Sequence, residues 1–173
     1  MTTLIYAGNV MASDSQLTTC NIPCNGNSQK IFQSEHLLVG YAGSVAKALR
    51  IVDWVIYDHC APDMKPDLSD LEDSDYDIIV VDKQTKKCWT YEGGALDAIP
   101  LSQPTAIGSG SPAAMGAITY MKMNKLPLDA KAAVKCGIAC DIFSGGKVQS
   151  VDLNPRPKRV KKMVSPKAVS PKE

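Results

Sequence analysis

The sequence has no apolar run approaching the roughly 18 residues that would make a candidate membrane-spanning helix. No basic segment leading into an apolar stretch opens it, so no secretory leader is read and a cytoplasmic location is expected. It lacks a Gly-x-x-x-x-Gly-Lys-Ser/Thr phosphate loop, a His-Glu-x-x-His zinc motif and a Gly-x-Ser-x-Gly nucleophile turn. Six cysteines are present, at 20, 24, 60, 88, 136 and 140. Asn21-Ile22-Pro23 between Cys20 and Cys24 is not a zinc-knuckle spacing. Cys136 and Cys140 share a helix face but have no second pair to complete a four-ligand site. They read as reduced, small apolar residues.

What is present is ordinary for one globular domain. The 173 residues are 45% hydrophobic and 21% charged, enough to bury a substantial core. The net charge of +1 conceals a division: residues 154–173 hold seven Lys or Arg against one acid, leaving the body mildly acidic. The tail, rich in Pro and Lys with two Ser-Pro-Lys repeats, has too few apolar residues to pack and is expected to be disordered. The expected division is a domain over 1–153 and a basic tail over 154–173. The tail is the only feature that suits nucleic acid, and a solvated tail is the simpler expectation.

The body reads as alternating blocks. Thr2–Ala7 and Val10–Ser15 flank Gly8-Asn9, the signature of a tight hairpin. Residues 18–29 read as a polar loop, and strands follow at 30–32 and 37–42. An amphipathic helix fits 44–59, with Ser44 as N-cap. Residues 61–77 carry two prolines and seven acids, including Asp70, Glu72, Asp73, Asp75 and Asp77, and read as a solvated loop with a weak case for a cation. Strands fit 76–81 and 88–91, and residues 92–102 read as loop with room for one short strand. Thr105–Ile107 feeds a Gly-rich turn and a helix that Pro112 opens at its first position. A second helix fits 128–142 with glycines at its C-cap, and a last strand fits 147–153. Strands and helices in separate blocks mean an α+β fold.

Chemistry gathers at the start. With Met1 removed, Thr2 carries a hydroxyl and a free α-amine on one residue. The hairpin brings Asp14 back beside it. Lys30 opens a strand, Ala106-Ile107-Gly108-Ser109-Gly110 precedes a helix, and Asp141-Ile142-Phe143-Ser144-Gly145-Gly146 closes another. Taken singly, each residue has a plainer explanation as a turn, cap or solvated strand end. Together, and in this order over residues 2–153, they resemble the proteasome β-subunits and the proteasome-like peptidase of a bacterial ATP-dependent protease, both N-terminal nucleophile hydrolases.

The resemblance implies a four-layer α-β-β-α sandwich of two antiparallel sheets, and a threonine-type peptidase. Thr2 Oγ is then the nucleophile and its own amine the base. Lys30 sits beside Thr2 with Asp14 holding it ionised. Ser109, Asp141 and Ser144 orient the amine, and the Gly43 N–H is the oxyanion donor. The implied substrates are unfolded polypeptides or peptides. A homo-oligomer, such as a ring, and an ATP-dependent unfoldase as partner also follow. No cofactor is required, although main-chain oxygens of Ile138, Asp141 and Ser144 are a possible cation site. The sequence departs from the family in a short first hairpin, in the added tail, and in an acidic loop where a second long helix is usual. The outer helical layer is therefore expected to be reduced. These departures suit a second reading, a catalytically silent protein of the same fold that binds a protease assembly or holds a partner through its tail.

Overall fold

A computed structural model describes residues 2–19, 22–58, 60–69, 76–92 and 96–154. The tail beyond 154, with its expected disorder, and residues 70–75 of the acidic loop lie outside them; within that loop Pro62–Met64 form a single 3-10 turn.

The first hairpin forms as its turn chemistry requires. Strands β1 (Leu4–Ala7) and β2 (Val10–Ser13) pair antiparallel, with Ala7 opposite Val10 and Leu4 opposite Ser13. Gly8 and Asn9 both take left-handed φ, at 59° and 65°, which matches the twist of a two-residue hairpin. Residues 16–27 depart from the expected loop. They form a two-stranded ribbon, β3 (Gln16–Thr19) and β4 (Ile22–Asn27). The ribbon has no fully buried face, so its sequence carries no alternation to betray it. Pro23 fits because the ribbon's outer edge needs no N–H from it.

Five further strands, β5 (Ile31–Gln33), β6 (Leu37–Gly43), β7 (Tyr76–Asp82), β8 (Cys88–Glu92) and β9 (Ile99–Leu101), form a second antiparallel sheet in chain order. Strand β10 (Thr105–Ile107) pairs with β1, and β11 (Gln149–Asp152) pairs with β2. The first sheet therefore runs β10-β1-β2-β11, with β1 in its interior.

Three α-helices complete the layers: α1 (Val45–Ile56), α2 (Ser111–Met123) and α3 (Ala130–Cys140). All are shorter than the sequence pattern suggests at one end or both. Ser44 sits at the N-cap of α1 but makes no side-chain cap bond. Pro112 is the second residue of α2, after Ser111. At α3 the cap is Asp129, whose side chain accepts from the Ala132 N–H, and the C-cap is Asp141 with the glycines lying beyond it.

Period-two alternation in β1 decides the packing. Leu4 and Tyr6 join Met11, Leu38, Ile79 and Val81 in a core between the sheets. Ile5 and Ala7 face the other way, onto Ala114 and Ile118 of α2 and Ala133 and Val134 of α3. A third cluster packs Ala48, Ile51, Val52 and Val55 of α1 against Val39, Ile78 and Val80. The order is helix, sheet, sheet, helix pair. Each fully buried Leu or Ile contributes on the order of 1.5–3 kcal/mol. The sheets approach closely at Gly40, where an added Cβ would lie 2.4 Å from a Leu4 methyl. No helix among the described residues is long and apolar enough to cross a membrane.

Candidate active site

Thr2 and Thr3 continue the alternation of β1 toward the chain start. Thr2 falls on the inter-sheet side and Thr3 on the helix side; both are buried. The Thr2 carbonyl accepts from the Gly110 N–H at 3.2 Å, which ties it to the turn after β10. Gly108 in that turn has φ of 86°, and a Cβ there would lie 2.2 Å from the Thr2 carbonyl oxygen. Only glycine permits that approach.

On the inter-sheet side, Lys30 Nζ donates to Thr2 Oγ1 and to Asp14 Oδ1, at 2.9 Å each. Lys30 is placed immediately before β5, where its N–H donates to Gln149 Oε1 and its carbonyl accepts from Tyr41 N–H. Its side chain is 3% exposed and that of Asp14 is 0% exposed. Burial lowers the Lys30 pKa below the ordinary lysine value, and the charge and hydrogen bond of Asp14 only partly offset this. Asp14 is fully satisfied. Oδ1 also accepts from the Thr3 N–H, and Oδ2 accepts from Gln16 and Gly145 N–H, each at 3.0 Å. A carboxylate with four donors can be buried beside one ammonium without an orphaned oxygen. Because Lys30 donates to Thr2 Oγ1, the Thr2 hydroxyl proton points elsewhere.

The second group lies at loop ends. Ser109 follows β10, Asp141 caps α3, and Ser144 lies in the turn beyond. Ser109 Oγ and Ser144 Oγ each donate to Asp141 Oδ2 at 2.6 Å, and the Phe143 N–H donates to Oδ1. Burial pushes the Asp141 carboxyl up, but these three donors outweigh it and hold its pKa below the usual carboxylate range. Gly43 ends β6 with φ of 89° and lines a cleft of about 480 Å³ shared with Gly108 and Ser109. Asp77 and Glu92, opposite one another across β7 and β8, form its acidic wall.

No protein-family model matches the sequence, and neither does any curated protein. Among solved structures, Thiobacillus denitrificans BPH in complex with epoxomicin matches with a TM-score of 0.61 at 22% identity, covering 89% of this chain and 99% of BPH. BPH alone matches with a TM-score of 0.57 at 21% identity, covering 90% and 99%. The chain has the fold of BPH, a proteasome-like α+β fold of antiparallel sheets and helices.

Within this fold, the residues singled out from sequence fall into two connected sets. Thr2, Lys30 and Asp14 touch directly, as do Ser109, Asp141 and Ser144. Gly43 shares the cleft with Ser109. Ile138, Asp141 and Ser144 are grouped at the end of α3. The Asp141 carbonyl accepts from the Ser144 N–H at 3.1 Å, leaving one lone pair for an ion. That donor set is neutral, and no step below passes through a cation. Among the described residues no cluster of three His, Cys, Asp or Glu side chains is placed to hold a metal. Sequence reasoning missed Thr3 and the Gln16 and Gly145 amides that hold Asp14. Thr3 had a signal: in an extended segment its side chain must face away from that of Thr2.

Proposed function

We propose that this chain is a threonine-type peptidase that cleaves peptide bonds in unfolded polypeptides or peptides once Met1 has been removed. The observation that carries the reading is Lys30 Nζ at 2.9 Å from both Thr2 Oγ1 and the buried Asp14 carboxylate. The Lys30 ammonium, held beside the Asp14 carboxylate, favours alkoxide character in the hydroxyl oxygen it donates to. BPH, with the same fold, was solved with epoxomicin bound, which also supports a reactive site.

The steps follow from the groups present. Thr2 Oγ attacks the scissile carbonyl, and its proton passes to the Thr2 α-amine. An α-amine has an ordinary pKa of about 7.7–8.0, so it is a usable base near neutral pH. The carbonyl oxygen becomes an oxyanion facing the Gly43 N–H, an interaction typically worth about 3 kcal/mol. The C–N bond breaks, the amine's proton goes to the leaving nitrogen, and an ester remains on Thr2. Water then attacks the ester, the amine takes its proton, and the acyl C–O bond breaks as that proton returns to Thr2 Oγ, freeing the carboxylic acid product and the neutral amine. Ser109, Asp141 and Ser144 orient the amine. A substrate side chain in the cleft meets Asp77 and Glu92, so cationic side chains are favoured there. A homo-oligomer, such as a ring, and an unfoldase partner extend the same proposal.

Mass measurement of the purified N-terminus comes first, then turnover of fluorogenic peptides by wild type, Thr2→Ala and Lys30→Ala. The expected result is a des-Met1 chain, wild-type turnover, and none with Thr2→Ala. Retained Met1, or turnover surviving Thr2→Ala, overturns the proposal and leaves the silent interaction protein as the reading.

A further inference from the structure

Thr3 touches both polar sets at once. Its N–H donates to Asp14 Oδ1, the oxygen that also receives Lys30. On the opposite face of the strand its Oγ1 donates to Ser144 Oγ at 2.8 Å. Ser144 passes its own proton to Asp141 Oδ2, which also accepts from Ser109. The side chain is completely buried and sterically locked. A Cβ on Gly110 would lie 1.8 Å from Thr3 Oγ1, and one on Gly137 would lie 2.4 Å from Thr3 Cγ2. β-branching further restricts its χ1.

The direction of these bonds has a chemical meaning. An ionised carboxylate is only an acceptor, so the Ser144 proton must point at Asp141. Ser144 Oγ can then only accept from its other neighbours. Thr3 occupies one of its two lone pairs. One remains open to a further donor, which in the proposed site is an N–H of the Thr2 amine, and Ser144 has no proton left to donate.

We infer that Thr3 is a positioning residue that sets the basicity of the Thr2 α-amine by occupying one acceptor site on Ser144. The inference rests on the proposed placement of Ser144 beside the Thr2 amine, and its consequence for rate rests further on that amine serving as the base. Without the Thr3 hydroxyl, both Ser144 lone pairs are open to the ammonium form. That form is then better satisfied, and the amine becomes a weaker source of neutral base at a given pH. The other charges facing this region are Lys30 before β5, Asp14 after β2, Asp141 at the end of α3, and Asp77 and Glu92 on β7 and β8. None of them is altered by the substitution.

The test uses des-Met1 protein carrying Thr3→Val, which keeps the shape without the hydroxyl, and Thr3→Ser, which keeps the hydroxyl. The α-amine pKa is measured from the pH dependence of its acylation rate by mass spectrometry, and peptide turnover is followed against pH. Thr3→Val is expected to raise the amine pKa by about half a unit. It should move the acid limb of turnover upward equally and lower kcat about threefold near neutral pH with KM unchanged. Thr3→Ser should restore all three. If Thr3→Val does not fold, Thr3→Ala carries the same expected shift. An unshifted amine in the hydroxyl-free variant, or an equal shift in Thr3→Ser, overturns the inference. A shifted amine in a protein whose wild type cleaves no peptide upholds the inference and removes the peptidase reading instead.

Discussion

Lys30 and Asp14 lie between the sheets, whereas Ser109, Asp141 and Ser144 lie where β10 and α3 give way to turns. The first set is a desolvated ion pair whose acid is held by three backbone amides. The second is a lone carboxylate held by two hydroxyls and one amide, with Ser109 exposed. A buried pair is costly to break, because the survivor is left charged in a poor solvent. A rim carboxylate can fall back on water. The inter-sheet set therefore joins its proposed chemistry to stability, while the rim set is free to serve the proposed chemistry alone.

The strongest way to break this comparison is at the pair. Asp14→Ala should abolish turnover and destabilise the fold by about 3–5 kcal/mol in urea unfolding, because Lys30 loses its counter-charge. Lys30→Ala should cost roughly 10²–10⁴ in turnover, with a smaller stability loss, since three amides still hold Asp14. Equal stability losses for the two would sink the account of Asp14. Gly110→Ala comes next. Its Cβ collides with Thr3 Oγ1, so a loss of about 1–3 kcal/mol is expected along with reduced turnover.

At the rim, Asp141→Asn should lower turnover clearly while costing only about 1 kcal/mol in stability. The two sets also differ in their response to pH. The folded Asp141 pKa is depressed, so its contribution is complete above the ordinary carboxylate pKa near 3.9 and is lost as pH falls through the lower folded value. Acid unfolding of Asp141→Asn should therefore be less steep below about pH 4. The folded Lys30 pKa is depressed too, and for a base this means the folded state releases its proton first. Between the folded and unfolded values, stability from this group rises with pH, and Lys30→Met should remove that alkaline gain. The smallest effect is expected in the cleft. Glu92→Gln should raise KM about two- to threefold for peptides with a basic residue beside the cleaved bond, with less effect in high salt.

Much of this was legible because of periodicity and turn chemistry. Gly8-Asn9 announced the first hairpin, and α1 showed its buried face at helical spacing. Thr2, Asp14, Lys30, Ser109, Asp141 and Ser144 stood out by residue type and order. The β3–β4 ribbon stayed hidden because pairing through main-chain bonds alone leaves no side-chain pattern. The hold on Asp14 was invisible for the same reason: Gln16 and Gly145 contribute amides, which every residue but proline has. The helix limits were misplaced where polar ends and glycines lay near real caps, as at Asp141.

The interior place of β1 also sets an order of events during synthesis. Its first partner, β2, follows within ten residues, but Ile107 of β10 is needed opposite Leu4 on the other side. At about 5–20 residues per second, a ribosome takes roughly 5–20 seconds to reach it. Through that interval one flank of the leading strand stays open, and an aminopeptidase acting on the nascent chain meets Met1 before the second flank closes. In the proposed peptidase, release of the Thr2 amine is thus a race between trimming and folding, and slowing removal of Met1 should yield a folded population that keeps it.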